Sequence, residues 1–193
     1  MKYIFESREF RQYQVSSLYS SRSAIANGSL YASCSTVFLS HKHDDLDDLK
    51  DVIGFLESEY GVKVYIDSRD PSMPPFTSGQ TATNLKNRIK QCNKFILLAT
   101  NAAIESKWCN WELGYGDAQK FKDNIAIFPI KPAGTYDYNY KGTEYLSIYP
   151  YIAFYNGTET YTNGNHVKRG YYVCVQENKK NVITPLADWF ANR

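Results

Sequence analysis

Cysteines in this chain never come in close pairs. Cys34, Cys92, Cys109 and Cys174 form no C-x-x-C element, so neither a zinc site nor a small disulfide framework is expected. Histidine is scarcer still, with three in 193 residues, and His41 and His43 run straight into Asp44 and Asp45. That run invites a metal, but alternate residues leaving a strand point to opposite sides and Asp44 is placed to cap a helix, so no metal is expected. Long apolar runs are missing too. The longest, FILLA at 95–99, is far too short to cross a bilayer, and the start MKYIFESREFRQ lacks the apolar stretch of a signal peptide. The expectation is a cytoplasmic protein with reduced thiols and no membrane partner. Nor does one sign of charge dominate: 22 basic against 20 acidic residues give no electrostatic reason to expect nucleic acid.

What is present is a globular composition, 43% apolar and 22% charged, of a length that can bury a substantial core. Residues 1–34 hold eight serines without a clean period and read as an N-terminal extension with one helix near 7–19. The remainder, 35–193, reads as one domain whose motifs lie in 35–131 and whose tyrosine-rich part, 132–193, completes the sheet. TVFLS (36–40) suits a buried strand. The following helix has Asp47 and Asp48 in its first turn, where the helix dipole favours negative charge. Its apolar stripe is Leu46, Leu49, Ile53 and Leu56, and Gly61 is placed to end it.

VKVYI (62–66) is expected as a second strand, followed by a proline-containing loop over 67–81 of the length that often shapes a site. A helix bearing Leu85, Ile89 and Cys92, the strand FILLA, a helix over 105–121 and the strand IAIFPI (125–130) follow. This alternation implies an α/β fold, a doubly wound parallel sheet covered on both faces. Residues 131–172 hold ten of the 17 tyrosines and show no clear period. YYVCV (171–175) is expected as a fifth strand, and Thr184-Pro185 as the start of a last helix burying Leu186, Trp189 and Phe190.

In such folds ligands bind beyond the carboxyl ends of the strands. Ser40 and His41, Asp67, Thr100 and Asn101, and Lys131 lie there, and the segment SKWCNWEL (106–113) borders the same rim. Trp108, Trp111, Glu112 and Tyr115 fall at i, i+3, i+4 and i+7, one face of a helix. Two readings stay open on the pattern alone. The four are an aromatic core stripe with the Glu112 carboxylate reaching water at its margin, or they are a carboxylate in a partly dry aromatic cleft. Asp44-Asp45 with Lys131-Pro132 mimics a phosphorelay receiver, but the third strand ends in Thr100 where that chemistry needs an aspartate.

VFLSHKHDD, VYID with its proline-containing loop, FILLAT, SKWCNWEL and IFPI together resemble the Toll/interleukin-1 receptor (TIR) domain in order and spacing. The serine-rich start and tyrosine-rich end resemble the TIR proteins of bacterial Thoeris anti-phage systems in particular. The resemblance implies a flavodoxin-like sheet of five parallel strands and an enzyme that cleaves the nicotinamide–ribose bond of NAD. NAD is then the substrate, and no cofactor is implied. Glu112 matches the catalytic glutamate and Trp108 the preceding family tryptophan; Trp111, Tyr115, Ser40, His41 and Asp67 are the candidate substrate-binding residues.

For Thoeris members the resemblance further implies a cyclic ADP-ribose isomer that diffuses to a partner NAD-depleting effector, a phage-derived trigger, and assembly into a homo-oligomer. Two departures stand out: His41, Lys42 and His43 replace an aromatic and arginines after the first strand, and the 67–81 loop is longer and richer in proline. The competing readings are a non-catalytic TIR scaffold that recruits proteins, and a plain NAD hydrolase.

Overall fold

Strand alternation decides which residues face which helices. In β2 (Thr36–Ser40), Val37 and Leu39 join one apolar cluster while Phe38 joins the other; in β4 (Lys94–Ala99), Ile96 and Leu98 oppose Phe95 and Leu97. Both clusters are buried, so the strands read as continuous apolar runs, the pattern of a sheet covered on both faces. The structure, a computed structural model, describes residues 1–16, 34–70, 78–120, 123–177 and 180–192. The helix expected near 7–19 meets a 3-10 turn at Arg11–Tyr13, and residues 17–19 lie outside the described residues.

The remaining strands are β1 (Phe5–Glu6), β3 (Lys63–Tyr65), β5 (Ile125–Lys131), β6 (Tyr151–Tyr155), β7 (Gly170–Glu177) and β8 (Lys180–Pro185). They make one sheet in the order β3-β2-β4-β5-β6-β7-β8, with β1 pairing beside β5. From β3 to β6 every pairing is parallel, which is the flavodoxin-like order. The chain therefore reverses its winding direction between β2 and β4, where this architecture opens a crevice at the carboxyl edge.

Helix α1 (Leu46–Tyr60) ends at Gly61, whose left-handed φ of 62° a side chain would resist. Its buried stripe is Leu49, Val52, Ile53, Phe55 and Leu56; Leu46, expected in that stripe, is exposed because it is the first helical residue. Asp45 rather than Asp44 holds the N-cap position, and its carboxylate accepts a hydrogen bond from the Thr100 hydroxyl instead of from the helix. Ser78 caps α2 (Gly79–Gln91) through a reciprocal bond with Thr81, so the expected 67–81 loop ends three residues early. It begins with a 3-10 turn at Asp67–Arg69, and its residues 71–77 lie outside the described residues.

The helix expected over 105–121 is α4 (Lys107–Lys120), and a short helix, α3 (Asn101–Glu105), precedes it. Ser106 breaks them: its backbone is extended and its Oγ accepts from the Cys109 amide at 3.3 Å. After β5, α5 (Thr143–Ile148) leads into β6, the fifth parallel strand, so YIAFY takes the place expected for YYVCV. YYVCV lies in β7 and runs antiparallel to β6. Tyrosine hid β6, because Tyr151 and Tyr155 face one cluster while Ile152 and Phe154 face the other, leaving no polar–apolar alternation to read. Thr184-Pro185 closes β8, and α6 (Leu186–Ala191) starts one residue later and buries Leu186, Trp189 and Phe190.

Residues 1–16 pack onto the sheet. Phe5 and Phe10 are buried against Phe128 and Tyr171, and Lys2 bridges to Phe154. The Tyr13 carbonyl sits where a Cβ on Gly54 of α1 would be, 1.7 Å away, so this glycine admits the N-terminal segment. Among the described residues no helix is long and apolar enough to cross a membrane.

Candidate active site

Ser40 ends β2 on the same side as Phe38, which is the side covered by α4. Glu112 lies on the sheet-facing side of α4 and is 3% exposed. The two meet: Ser40 Oγ donates to Glu112 Oε2 at 2.5 Å. The margin position expected of Glu112 under the core-stripe reading is thereby corrected, for its carboxylate is enclosed rather than open to water.

Burial pushes the Glu112 carboxyl up to about 8, and the nearby Asp67 charge adds to the rise, while the Ser40 hydroxyl and the Trp108 indole hold it down. None of these neighbours is a cation. The site therefore offers a buried carboxyl, protonated at neutral pH, whose ionised form would gain most from meeting a positive charge.

His41, next along the chain, is buried with its Nδ1 3.3 Å from the Leu39 carbonyl and its Nε2 3.9 Å from Asp67 Oδ1. Burial lowers its pKa, against the pull of Asp67, so the ring is neutral at pH 7. Asp67 leaves β3, the neighbour of β2, and is partly open to solvent, with its Oδ1 accepting from the Ser68 amide at 2.8 Å. Strands β3 and β2 and helix α4 thus bring Asp67, His41, Ser40, Trp108 and Glu112 to one place beside the reversal point.

The aromatic residues divide. Trp108 stacks on Trp111 with ring centres 5.0 Å apart, and Trp111 on Tyr115 at 6.1 Å, a column running along α4. All three are partly buried against the core cluster. The Lys86 ammonium of α2 lies 5.8 Å from the Trp111 ring centre and 5.6 Å from that of Tyr115. Only Trp108 also acts on Glu112. The aromatic face is therefore both a core stripe and, at its N-terminal end, one wall of the carboxylate's surroundings.

Two further rim residues serve other contacts. Lys131 donates to the Thr135 carbonyl at 2.6 Å and to Asp137 at 2.8 Å, and Asn101 is tied to Asn139 and Lys141. Sequence reasoning missed the Thr100–Asp45 bond, which fixes the end of β4 to the start of α1. Its only signal was that Thr100 and Asp45 both follow strands at the same edge. A cavity of about 400 Å³ lined by Lys94, Asn124, Val173 and Trp189 lies at the opposite edge, where β4 begins, and shares no residue with this site.

The TIR domain profile matches residues 37–166, from β2 to just past β6. The chain belongs to the TIR domain family. As a TIR domain it is also similar to a protein of Bacillus cereus (strain MSX-D12) named a probable 3' cyclic ADP-D-ribose synthase, ThsB'. The two are 33% identical over 119 residues, which is 61% of this chain and 60% of that relative. The chain thus spans about 60% of the length of the curated relative it matches. The matched TIR segment contains Ser40, His41, Asp67, Trp108 and Glu112, so the assembled residues lie wholly within it.

Proposed function

We propose that this TIR domain cleaves the nicotinamide–ribose bond of NAD and closes the resulting ADP-ribosyl unit into a cyclic ADP-ribose isomer. The observation that carries this reading is the enclosed Glu112 carboxyl, bonded to Ser40 and with no cation beside it among the described residues. The naming of the Bacillus cereus relative as a cyclic ADP-ribose synthase supports the choice of product.

The chemistry requires one carboxylate only. Glycosidases acting on ordinary sugars use two because an alkoxide leaving group must be protonated. Nicotinamide leaves as a neutral molecule from a cationic ring, taking the bonding electrons with it, and needs no acid. What must be stabilised is positive charge growing on the ribose, and Glu112 is placed to supply that from a site of low polarity. In the free protein its carboxyl holds its proton at neutral pH; the pyridinium of NAD, brought close, favours the charged form and drives the proton off. Substrate binding thereby arms the carboxylate. Trp108 stacks on a ring of the substrate beside it. Folding the adenosine end back over the ribose makes closure faster than attack by water through high effective concentration.

The cyclic product acts as a diffusible signal to a partner effector that depletes NAD, with a phage-derived trigger and self-association governing the site. The test is mass spectrometry of small molecules from infected and uninfected cells carrying the wild type or Glu112→Gln. A species of cyclic ADP-ribose mass that appears on infection and depends on Glu112 is expected. Linear ADP-ribose alone would make the protein a hydrolase, and identical profiles from the two proteins would make it a scaffold.

A further inference from the structure

Beside Glu112 stand two hydrogen-bond acceptors facing each other. His41 Nδ1 lies 3.3 Å from the Leu39 carbonyl, a group that only accepts, so in the neutral ring Nδ1 carries the hydrogen. Nε2 is left with its lone pair, and it points toward Asp67 Oδ1 at 3.9 Å. That separation is too long for a hydrogen bond and would place a bare nitrogen against a carboxylate. The arrangement is unfavourable unless donors enter past Asp67, which is 37% exposed while the His41 side chain behind it is 3% exposed.

We propose that His41 Nε2 and the Asp67 carboxylate hold the vicinal hydroxyls of the adenosine ribose, and that Nε2 accepts the proton from the hydroxyl that closes the ring. This rests on the NAD reading above and assigns the second half of that reaction. Two neighbouring hydroxyls offer two donors a single carbon–carbon bond apart, which suits two acceptors 3.9 Å from each other.

The step balances. The C–N bond to nicotinamide breaks and its electrons leave with the nicotinamide nitrogen. A ribose hydroxyl oxygen forms the new bond to the same carbon, and its proton passes to Nε2. The imidazolium so formed is stabilised by Asp67 and returns the proton to solvent at the exposed side of the pair. A neutral, weakly basic imidazole is adequate here, because the hydroxyl becomes strongly acidic as it bonds to a cationic carbon. Water attacking from bulk has no need of His41, so the pair bears on which product forms more than on whether nicotinamide leaves.

The test compares wild type, His41→Gln and Asp67→Asn in infected cells, measuring cyclic and linear ADP-ribose for each unit of nicotinamide released. The expected result is a fall of tenfold or more in the cyclic-to-linear ratio in His41→Gln and a smaller fall in Asp67→Asn. In wild type the ratio should drop as pH falls and His41 gains its proton, a dependence His41→Gln should lack. A ratio within twofold of wild type in both variants overturns the proposal. Loss of all nicotinamide release at an unchanged melting temperature also overturns it, since the pair would then act in bond cleavage. If the wild type itself releases no nicotinamide on infection, the NAD reading fails and this proposal fails with it.

Discussion

Ser40 and Glu112, 72 positions apart in the chain, share a 2.5 Å hydrogen bond between the end of a strand and the inner face of a helix. It is the direct link between the sheet and the candidate catalytic carboxyl. A hydrogen bond to a charged group contributes about 1.5–3 kcal/mol, or about one to two pKa units. Replacing Ser40 with Ala should therefore raise the Glu112 pKa further from about 8. The rising limb of kcat/KM against pH should shift upward by about one to two units, with a loss of about 10- to 100-fold at neutral pH. A pH–rate profile checks both.

Glu112 also sets a stability dependence. Its folded pKa of about 8 lies above the ordinary 4.5, so the folded state holds the proton more tightly than the unfolded chain. That contribution is complete below about pH 4.5 and is lost as pH rises through about 8. Glu112→Gln keeps the shape and has no proton to lose. Its melting temperature relative to wild type should rise across this window by up to about 1.4 kcal/mol per pH unit, or about 3–6 °C. Parallel melting curves from pH 5 to pH 8 test it.

Much of this was legible beforehand. The buried strands announced themselves as TVFLS, FILLA and IAIFPI, and the spacing of SKWCNWEL put Glu112 on one helix face. What escaped depends on partners distant in sequence. No local pattern joins Ser40 to Glu112 or Thr100 to Asp45. β6 was hidden because tyrosine serves as core and as polar surface, and β1 because two residues show no period.

Trp108→Phe keeps a ring in the column and removes the N–H that favours the Glu112 anion. Turnover at neutral pH should fall by about tenfold, with a change of less than about 1 kcal/mol in stability. Trp111→Ala opens the middle of the column and should cost about 2–4 kcal/mol instead. Kinetics paired with urea unfolding separates the two.

Two glycines of α4 should respond with opposite sign. A Cβ on Gly116 would meet the Phe95 ring at 2.8 Å, so Gly116→Ala should destabilise by about 1–3 kcal/mol. Around Gly114 nothing lies within 4 Å, so Gly114→Ala should stabilise by up to about 1 kcal/mol through helix propensity. Denaturant midpoints of the two variants decide it.

The most direct test of the account is release of nicotinamide from NAD labelled in that ring, in extracts of infected cells carrying wild type or Glu112→Gln at matched levels. The account predicts release by wild type and a loss of at least a thousandfold in the variant, with the fold intact by its melting temperature. Release by Glu112→Gln at the wild-type rate would contradict it, and would remove the enclosed carboxyl from the chemistry.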